Sequence, residues 1–146
     1  MATSTAANYS PAGITRLGRT RALGVGGAVI AAVAVWVVAV PLLGVHLLIR
    51  FGSGAAETVG VDYVIGATLI ASLAAWGLLA VLERRTSRAR VIWTVVAAVV
   101  LLVSLSLPLT AGTTSASKTA LALMHIAAAA VLIPTLRHGS ATRQRA

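Results

Sequence analysis

The sequence contains no cysteine, and only three of its 146 residues are acidic. Without cysteine, the chain cannot form disulfide bonds, thiolate metal sites or a cysteine nucleophile. Charged residues make up 10% of the chain, whereas about 25% is usual for soluble globular domains. So few charges cannot cover the surface of a water-soluble fold of this size. The composition therefore excludes a soluble enzyme.

Hydrophobic residues make up 58% of the chain, which excludes a disordered protein because disorder requires low hydrophobicity. The 12 basic residues give a net charge of +9, which by itself would suit a nucleic-acid-binding protein. The basic residues are, however, clustered between long uncharged runs. A surface that binds nucleic acid more often interleaves them with aromatic residues. We therefore expect no nucleic-acid partner.

Four stretches of the chain carry no charged residue: 22–49, 63–82, 91–117 and 119–136. A membrane helix needs about 20 mostly apolar residues, so each stretch can cross a bilayer. Apolar residues occur all round each helix, without the polar face of a soluble surface helix. The sequence thus predicts an all-α integral membrane four-helix bundle in up-down-up-down order. Its spans are expected at about 23–43, 63–82, 91–109 and 117–136.

Basic residues flank these spans unevenly. Ten of the 12 fall before the first span, between the second and third, or after the fourth. Because basic residues stay on the cytoplasmic side, we expect both termini and the 83–90 loop to be cytoplasmic. The connections at 50–62 and 110–117 are then extracellular. This pattern predicts a multi-pass protein of the plasma membrane.

One transmembrane domain, 21–137, is expected between two flexible cytoplasmic tails, 1–20 and 138–146, which are rich in small and polar residues. A secretory signal peptide is the alternative interpretation of the first span, because Ala32-Val33-Ala34 resembles a cleavage site. The apolar run continues well past that point, whereas the apolar region of a signal peptide has about 7–15 residues. We therefore expect an uncleaved anchor.

The segment between the first two spans is rich in glycine and β-branched residues. Pro41 should kink or end the first helix. Beyond it, two extended runs, 45–51 and 57–61, flank the turn Gly52-Ser53-Gly54. This pattern predicts a short extracellular β-hairpin between helices 1 and 2. The alternative is a first helix that continues to Ile49, followed by a plain loop.

Counting inward from the outer end of each span places three polar side chains in one layer: Thr68, Ser104 and His125. His125 lies roughly 10 Å deep at 1.5 Å per residue, and an ionisable group at membrane depth marks a candidate functional site. We expect these residues to form an intramembrane polar cluster, with Ser72 and Ser106 as extensions. Either the cluster holds the helices together through hydrogen bonds of about 0.6–2 kcal/mol each, or it binds a ligand or proton.

The loop between the second and third spans holds four arginines: Arg84, Arg85, Arg88 and Arg90. These side chains are candidate contacts for anionic lipid head groups, at about 1 kcal/mol each. Glu83 is expected to pair with a neighbouring arginine. Gly24, Ala28 and Ala32 lie four residues apart, a spacing that lets helices pack closely within the bundle or between two copies. The expected partners are the lipid bilayer, anionic lipids on its cytoplasmic side, and a second copy or another membrane protein.

No cofactor or metal is expected. His46 and His125 fall at different depths, which does not suit a haem held by both. His46, Glu57, Asp62 and His125 also lack the spacing of zinc ligands. Neither a phosphate-binding glycine loop nor a nucleophile elbow occurs in the sequence. We therefore assign no catalytic residue.

Four segments resemble a family of small four-span membrane proteins from high-GC bacteria: WVVAVPLLGV at 36–45, RFGSGAAETVG at 50–60, LLAVLERRTSRARVIWTVVA at 78–97 and ALALMHIAAAAVLIP at 120–134. The resemblance covers roughly residues 20–137, and the ratio of eleven arginines to one lysine suits such a source. The family is a domain of unknown function. The resemblance implies four helices and a plasma-membrane location, and it carries no activity and no site residue.

The leading hypothesis is therefore a small polytopic membrane protein that acts through helix packing, as a partner or accessory subunit. The alternative is a small carrier or an oligomeric channel that uses the polar layer around His125. A membrane enzyme would need more polar residues than this chain offers.

Overall fold

A computed structural model describes residues 11–50 and 52–141 of the chain. The outer parts of the two expected tails, 1–10 and 142–146, lie outside the described residues. Four helices make up most of the described part: α1 (Pro11–Val37), α2 (Val61–Arg85), α3 (Ala89–Ala111) and α4 (Ser115–Ala141). All four are long and apolar enough to cross a membrane, which confirms the all-α prediction with four candidate spans.

The first helix begins earlier than expected. Residues 11–20 are helical, although the sequence suggested a flexible tail from 1 to 20. At the other end of the chain, α4 continues to Ala141 and so includes the first residues of the second expected tail.

Pro41 ends α1 through a change of helix type. The helix passes into a single π-helical turn, Val38–Leu42, in which the amide of Leu43 donates to the carbonyl of Val38 at 3.0 Å. Proline has no N–H to donate to the preceding turn, so the chain widens at this point. Gly44, with φ +67°, then terminates the helix, because glycine adopts this conformation without strain.

A short β-hairpin follows, as predicted, and the alternative of a helix reaching Ile49 is wrong. Strand β1 (Leu48–Ile49) pairs antiparallel with β2 (Glu57–Thr58). Two-residue strands are marginal alone, and this pair is held by the α3–α4 connection. The amide of Arg50 donates to the carbonyl of Ala111 at 2.9 Å, and that of Thr113 donates to the carbonyl of Leu48 at 3.2 Å.

Buried polar contacts fasten the hairpin to the helices. The hydroxyl of Ser117, which is fully buried, donates to the carbonyl of His46 at 2.8 Å. Thr114 caps α4 by accepting from the amide of Ser117 at 3.1 Å. Across the bundle, Trp36 Nε1 donates to the carbonyl of Val59 at 3.1 Å. The hairpin therefore covers one end of the bundle, which we call the hairpin end.

Helices α1 and α4 pack most closely. A Cβ atom on Gly24 would lie 2.7 Å from Thr135 Oγ1, and one on Gly27 would lie 3.0 Å from a methyl group of Val131. Ala28 and Ala32 are buried on the same side of α1. The small residues that the sequence singled out thus bring helices together within one chain.

An ion pair ties α1 to α2 at the opposite end, which we call the arginine end. Arg21 Nη2 lies 2.6 Å from Glu83 Oε1, and the two side chains are only 10% and 15% exposed. The sequence suggested a partner for Glu83 among its neighbours in the loop. Arg21 is 62 residues away from Glu83, so this ion pair joins two different helices.

Replacement of Gly24 by alanine is expected to lower the thermal stability of the protein in detergent. The new methyl group would press on Thr135, whose hydroxyl is already bonded to the carbonyls of Val131 and Leu132 and is not free to turn. Gly26→Ala is the matched control, because no atom lies within 4 Å of its Cβ position. Alanine favours a helix over glycine by about 1 kcal/mol, so this variant should melt at or above the wild-type temperature. Equal melting temperatures for the two variants would contradict the close contact between Gly24 and Thr135.

Candidate functional site

A cavity of about 430 Å³ lies between α2, α3 and α4. Its lining is mostly alanine, valine and leucine, and α1 contributes no described residue to it. Ala67, Ala71 and Ala75 repeat every four residues along the α2 wall, so this wall consists of small side chains. Because α2 and α4 make few direct contacts, the space between them is not filled.

The cavity is closed at both ends of the bundle. At the arginine end lies Trp93, which is 1% exposed and donates through Nε1 to the carbonyl of Ala75 at 2.9 Å. Below it, Leu79 and Leu136 complete a fully buried apolar cluster. At the hairpin end, Ile49 and Val59 line the cavity, so the hairpin covers it.

The cavity opens sideways between α2 and α3. Five of its lining residues are also exposed on the outer surface: Tyr63, Ala67 and Ala71 on α2, and Val100 and Leu107 on α3. Large apolar side chains surround this opening, among them Ile70 on α2 and Val103 on α3, which are 70% and 65% exposed. A molecule that reaches the cavity by this route therefore passes over an apolar surface.

The polar residues predicted at one depth all line this cavity. Thr68 lies on the α2 wall, Ser104 on the α3 wall and His125 on the α4 wall, and Ser72 joins them on α2. Ser106, which was expected as an extension, does not line the cavity. Its side chain is exposed on α3 and donates to the carbonyl of Val103.

The polar side chains that share the cavity do not bond to one another. Ser104 Oγ donates to the carbonyl of Leu101 at 2.8 Å, within its own helix. His125 Nδ1 lies 2.8 Å from the carbonyl oxygen of Leu121, also within its own helix. Among the residues that the structure describes, Thr68 and Ser72 make no side-chain hydrogen bond. The arrangement thus gathers polar groups around a space without joining the helices through them.

The hydrogen bond of His125 determines which ring nitrogen faces a ligand. A carbonyl oxygen only accepts, so Nδ1 carries the hydrogen and donates to Leu121. In the neutral ring the other nitrogen, Nε2, is then an acceptor. None of the three acidic residues lines the cavity. A charged ring would therefore have no counter-ion there.

The four arginines at the end of α2, in the α2–α3 loop and at the start of α3 do not line the cavity. Arg84, Arg85 and Arg88 are exposed and Arg90 is half-buried. The loop therefore presents a concentrated positive charge at the arginine end.

His46 and His125 do not meet. His46 is exposed ahead of β1 and does not line the cavity. Within the described ranges, no three potential metal-ligating side chains come together. The sequence alone could not locate the cavity. The spacing of Ala67, Ala71 and Ala75 on α2 was the one indication that small side chains line this wall.

Four long apolar helices, three of which enclose the cavity, define a small multi-pass helical membrane protein. The chain belongs to a family of unknown function (DUF6069), whose family model matches residues 13–142. This match agrees with the resemblance to an uncharacterised domain, and its description names no activity. No match was found among the curated proteins or the solved structures.

Replacement of Thr68 by valine, or of Ser72 by alanine, is expected to change the melting temperature in detergent only slightly. Neither hydroxyl bonds to another helix, whereas a bond between membrane helices would be worth about 0.6–2 kcal/mol. Ser117→Ala tests the sensitivity of the measurement, because this buried hydroxyl holds the hairpin and its loss should lower the melting temperature. If Thr68→Val or Ser72→Ala lowered the melting temperature as much as Ser117→Ala does, the two hydroxyls would bond to another helix, contrary to the structure.

Proposed function

We propose that this chain is a multi-pass protein of the bacterial plasma membrane that binds a lipid-soluble ligand taken from the bilayer. Its helices cross in up-down-up-down order, with both termini and the α2–α3 loop in the cytoplasm and the hairpin outside. The charge distribution supports this orientation. Arg21 pairs with Glu83 at the end of α2, beside the loop arginines, and Gly24 packs on Thr135, two residues before Arg137. The basic residues thus gather at one end, as cytoplasmic residues do.

The cavity and its sideways opening carry the proposal. A volume of about 430 Å³ falls within the range of about 300–1,000 Å³ that is usual for small-molecule sites. In the proposed orientation, the opening between α2 and α3 faces the acyl chains of the lipids. A ligand dissolved in the bilayer can therefore enter without crossing water.

The closed ends of the cavity favour binding over conduction. Trp93, Leu79 and Leu136 fill the bundle between the cavity and the arginine end. A path across the membrane would have to pass through this cluster, so a single copy suits a binding protein better than a channel. No acidic side chain lines the cavity, and the role we propose is binding alone. As an accessory protein, the chain would hold a lipid-soluble molecule inside the membrane.

The exposed arginines of the α2–α3 loop form a second contact with the membrane. In the proposed orientation, Arg84, Arg85 and Arg88 lie at the cytoplasmic surface, where anionic head groups concentrate. Each would contribute about 1 kcal/mol to the binding of anionic lipid. This contact holds the arginine end at the cytoplasmic surface of the membrane. The cavity lies deeper and stays open to the bilayer core.

Trp93 provides a direct test, because its buried indole lines the cavity and is shielded from surrounding lipid. The variant W36F/W76F retains Trp93 as the single tryptophan of the three in the chain. This protein is placed in phospholipid vesicles, and dibrominated octadecane is added as a contact quencher. Entry of the probe into the cavity should quench Trp93 fluorescence, and the quenching should saturate at a low mole fraction of probe.

A plugged cavity provides the control. Ala71→Phe adds an aromatic ring at the opening and should abolish saturable quenching, because Ala71 lines the cavity. Ala74→Phe adds the same ring to the same helix at an exposed position that does not line the cavity, and should leave quenching unchanged. Quenching that is absent, or equal in the two variants, would contradict the proposal.

A further inference from the structure

An apolar cavity inside a membrane cannot select its ligand by hydrophobicity, because lipid tails are as apolar as the residues that line it. Given the binding role proposed above, on which this inference rests, selectivity must come from polar groups in the cavity wall. Hydrogen-bonding groups that have no protein partner are the ones a ligand can satisfy. These groups therefore indicate the chemistry of the ligand.

Three polar atoms of the cavity can accept or donate a hydrogen bond to a ligand. His125 Nε2 is an acceptor, since Nδ1 donates to the carbonyl of Leu121 at 2.8 Å. The hydroxyl groups of Thr68 and Ser72 make no hydrogen bond within the described part of the chain. Ser72 is nevertheless 1% exposed, so its hydroxyl depends on the cavity for a partner. The two hydroxyls are four residues apart, on one face of α2, while His125 faces the cavity from α4.

The depth of these groups restricts the ligand further. His125 is ten residues inside α4, which begins at Ser115, and this corresponds to about 15 Å at 1.5 Å per residue. A charged head group at that depth would lack a counter-ion and would be expensive to bury. Phospholipids therefore cannot place their head groups at this site. The polar part of the ligand must be small and uncharged.

We propose that the cavity binds a lipid-soluble alcohol or phenol, a molecule with an apolar body and an uncharged hydroxyl group. The hydroxyl donates its hydrogen to His125 Nε2, and its oxygen accepts from the hydroxyl of Thr68 or Ser72. The apolar body lies along the cavity towards Trp93. Leu132 packs against the cluster that contains Trp93, and both residues line the cavity. Leu132 is seven residues from His125, or about 10 Å along α4, so a ligand body of this length reaches the part of the cavity that Trp93 lines.

The fluorescence of Trp93 distinguishes this ligand class from apolar molecules in general. The W36F/W76F protein in vesicles is titrated with octadecanol carrying two bromines at mid-chain, with its methyl ether, and with dibrominated octadecane. The alcohol should half-saturate quenching at a mole fraction roughly tenfold lower than the ether or the alkane, because one hydrogen bond of about 1.4 kcal/mol corresponds to tenfold in affinity. Equal half-saturation for all three would overturn the inference and leave the binding role intact. An absence of saturable quenching by any probe would overturn both.

Substitution of His125 tests the acceptor. His125→Leu should remove the preference for the alcohol while the alkane still quenches, and His46→Leu, outside the cavity, should retain the preference. A second measurement does not depend on the folding of a variant. In protein labelled with nitrogen-15 in histidine, the alcohol should shift the Nε2 resonance of His125 and leave its Nδ1 resonance in place. A full preference for the alcohol in His125→Leu, or an unchanged Nε2 resonance at saturation, would overturn the inference.

Discussion

The close approach of α1 to α4 determines the arrangement of the other helices. Gly24 and Gly27 allow contacts with Thr135 and Val131 that a larger side chain would prevent. The Arg21–Glu83 pair fastens α2 to the other side of α1. Because α1 is held between its two neighbours, α2 and α4 stay apart and α3 closes only part of the gap. Tight packing on one side of the bundle therefore leaves a cavity on the other.

The two ends of the bundle are closed by different means. At the hairpin end, backbone hydrogen bonds and the buried hydroxyl of Ser117 hold a pair of very short strands. At the arginine end, the indole of Trp93 bonds to a backbone carbonyl of α2 and fills the interior with a large apolar group. A protein with so few polar residues thus uses them mainly to satisfy its own backbone. The hydroxyls of Thr68 and Ser72 in the cavity are exceptions among the described residues, which is why they indicate a ligand.

Much of the fold could be predicted from the sequence, because its determinants act locally. Charge-free stretches indicate four candidate spans, and glycine between two extended runs indicates the hairpin. Counting along each span also placed Thr68, Ser104 and His125 in one layer, and all three line the cavity. The π-helical turn lies at Pro41, where a kink or an end of the first helix was expected, whereas residues 11–20 are helical within the stretch expected as a flexible tail.

The remaining features depend on how each helix is rotated about its axis. Helices that are apolar all round carry no periodic pattern to reveal the face they turn inward. For this reason, the distant partner of Glu83 could not be predicted. The cavity is a property of three helices together, and no single segment encodes it.

The central claim is that four helices cross the membrane with the arginine end in the cytoplasm. The absence of cysteine permits a direct measurement with single-cysteine variants. Ser53→Cys lies in the hairpin turn and Ser87→Cys in the α2–α3 loop, and both positions are exposed. A membrane-impermeant maleimide applied to intact spheroplasts should label Ser53→Cys at once and Ser87→Cys only after the membrane is permeabilised. Labelling of Ser87→Cys in intact spheroplasts would contradict the account.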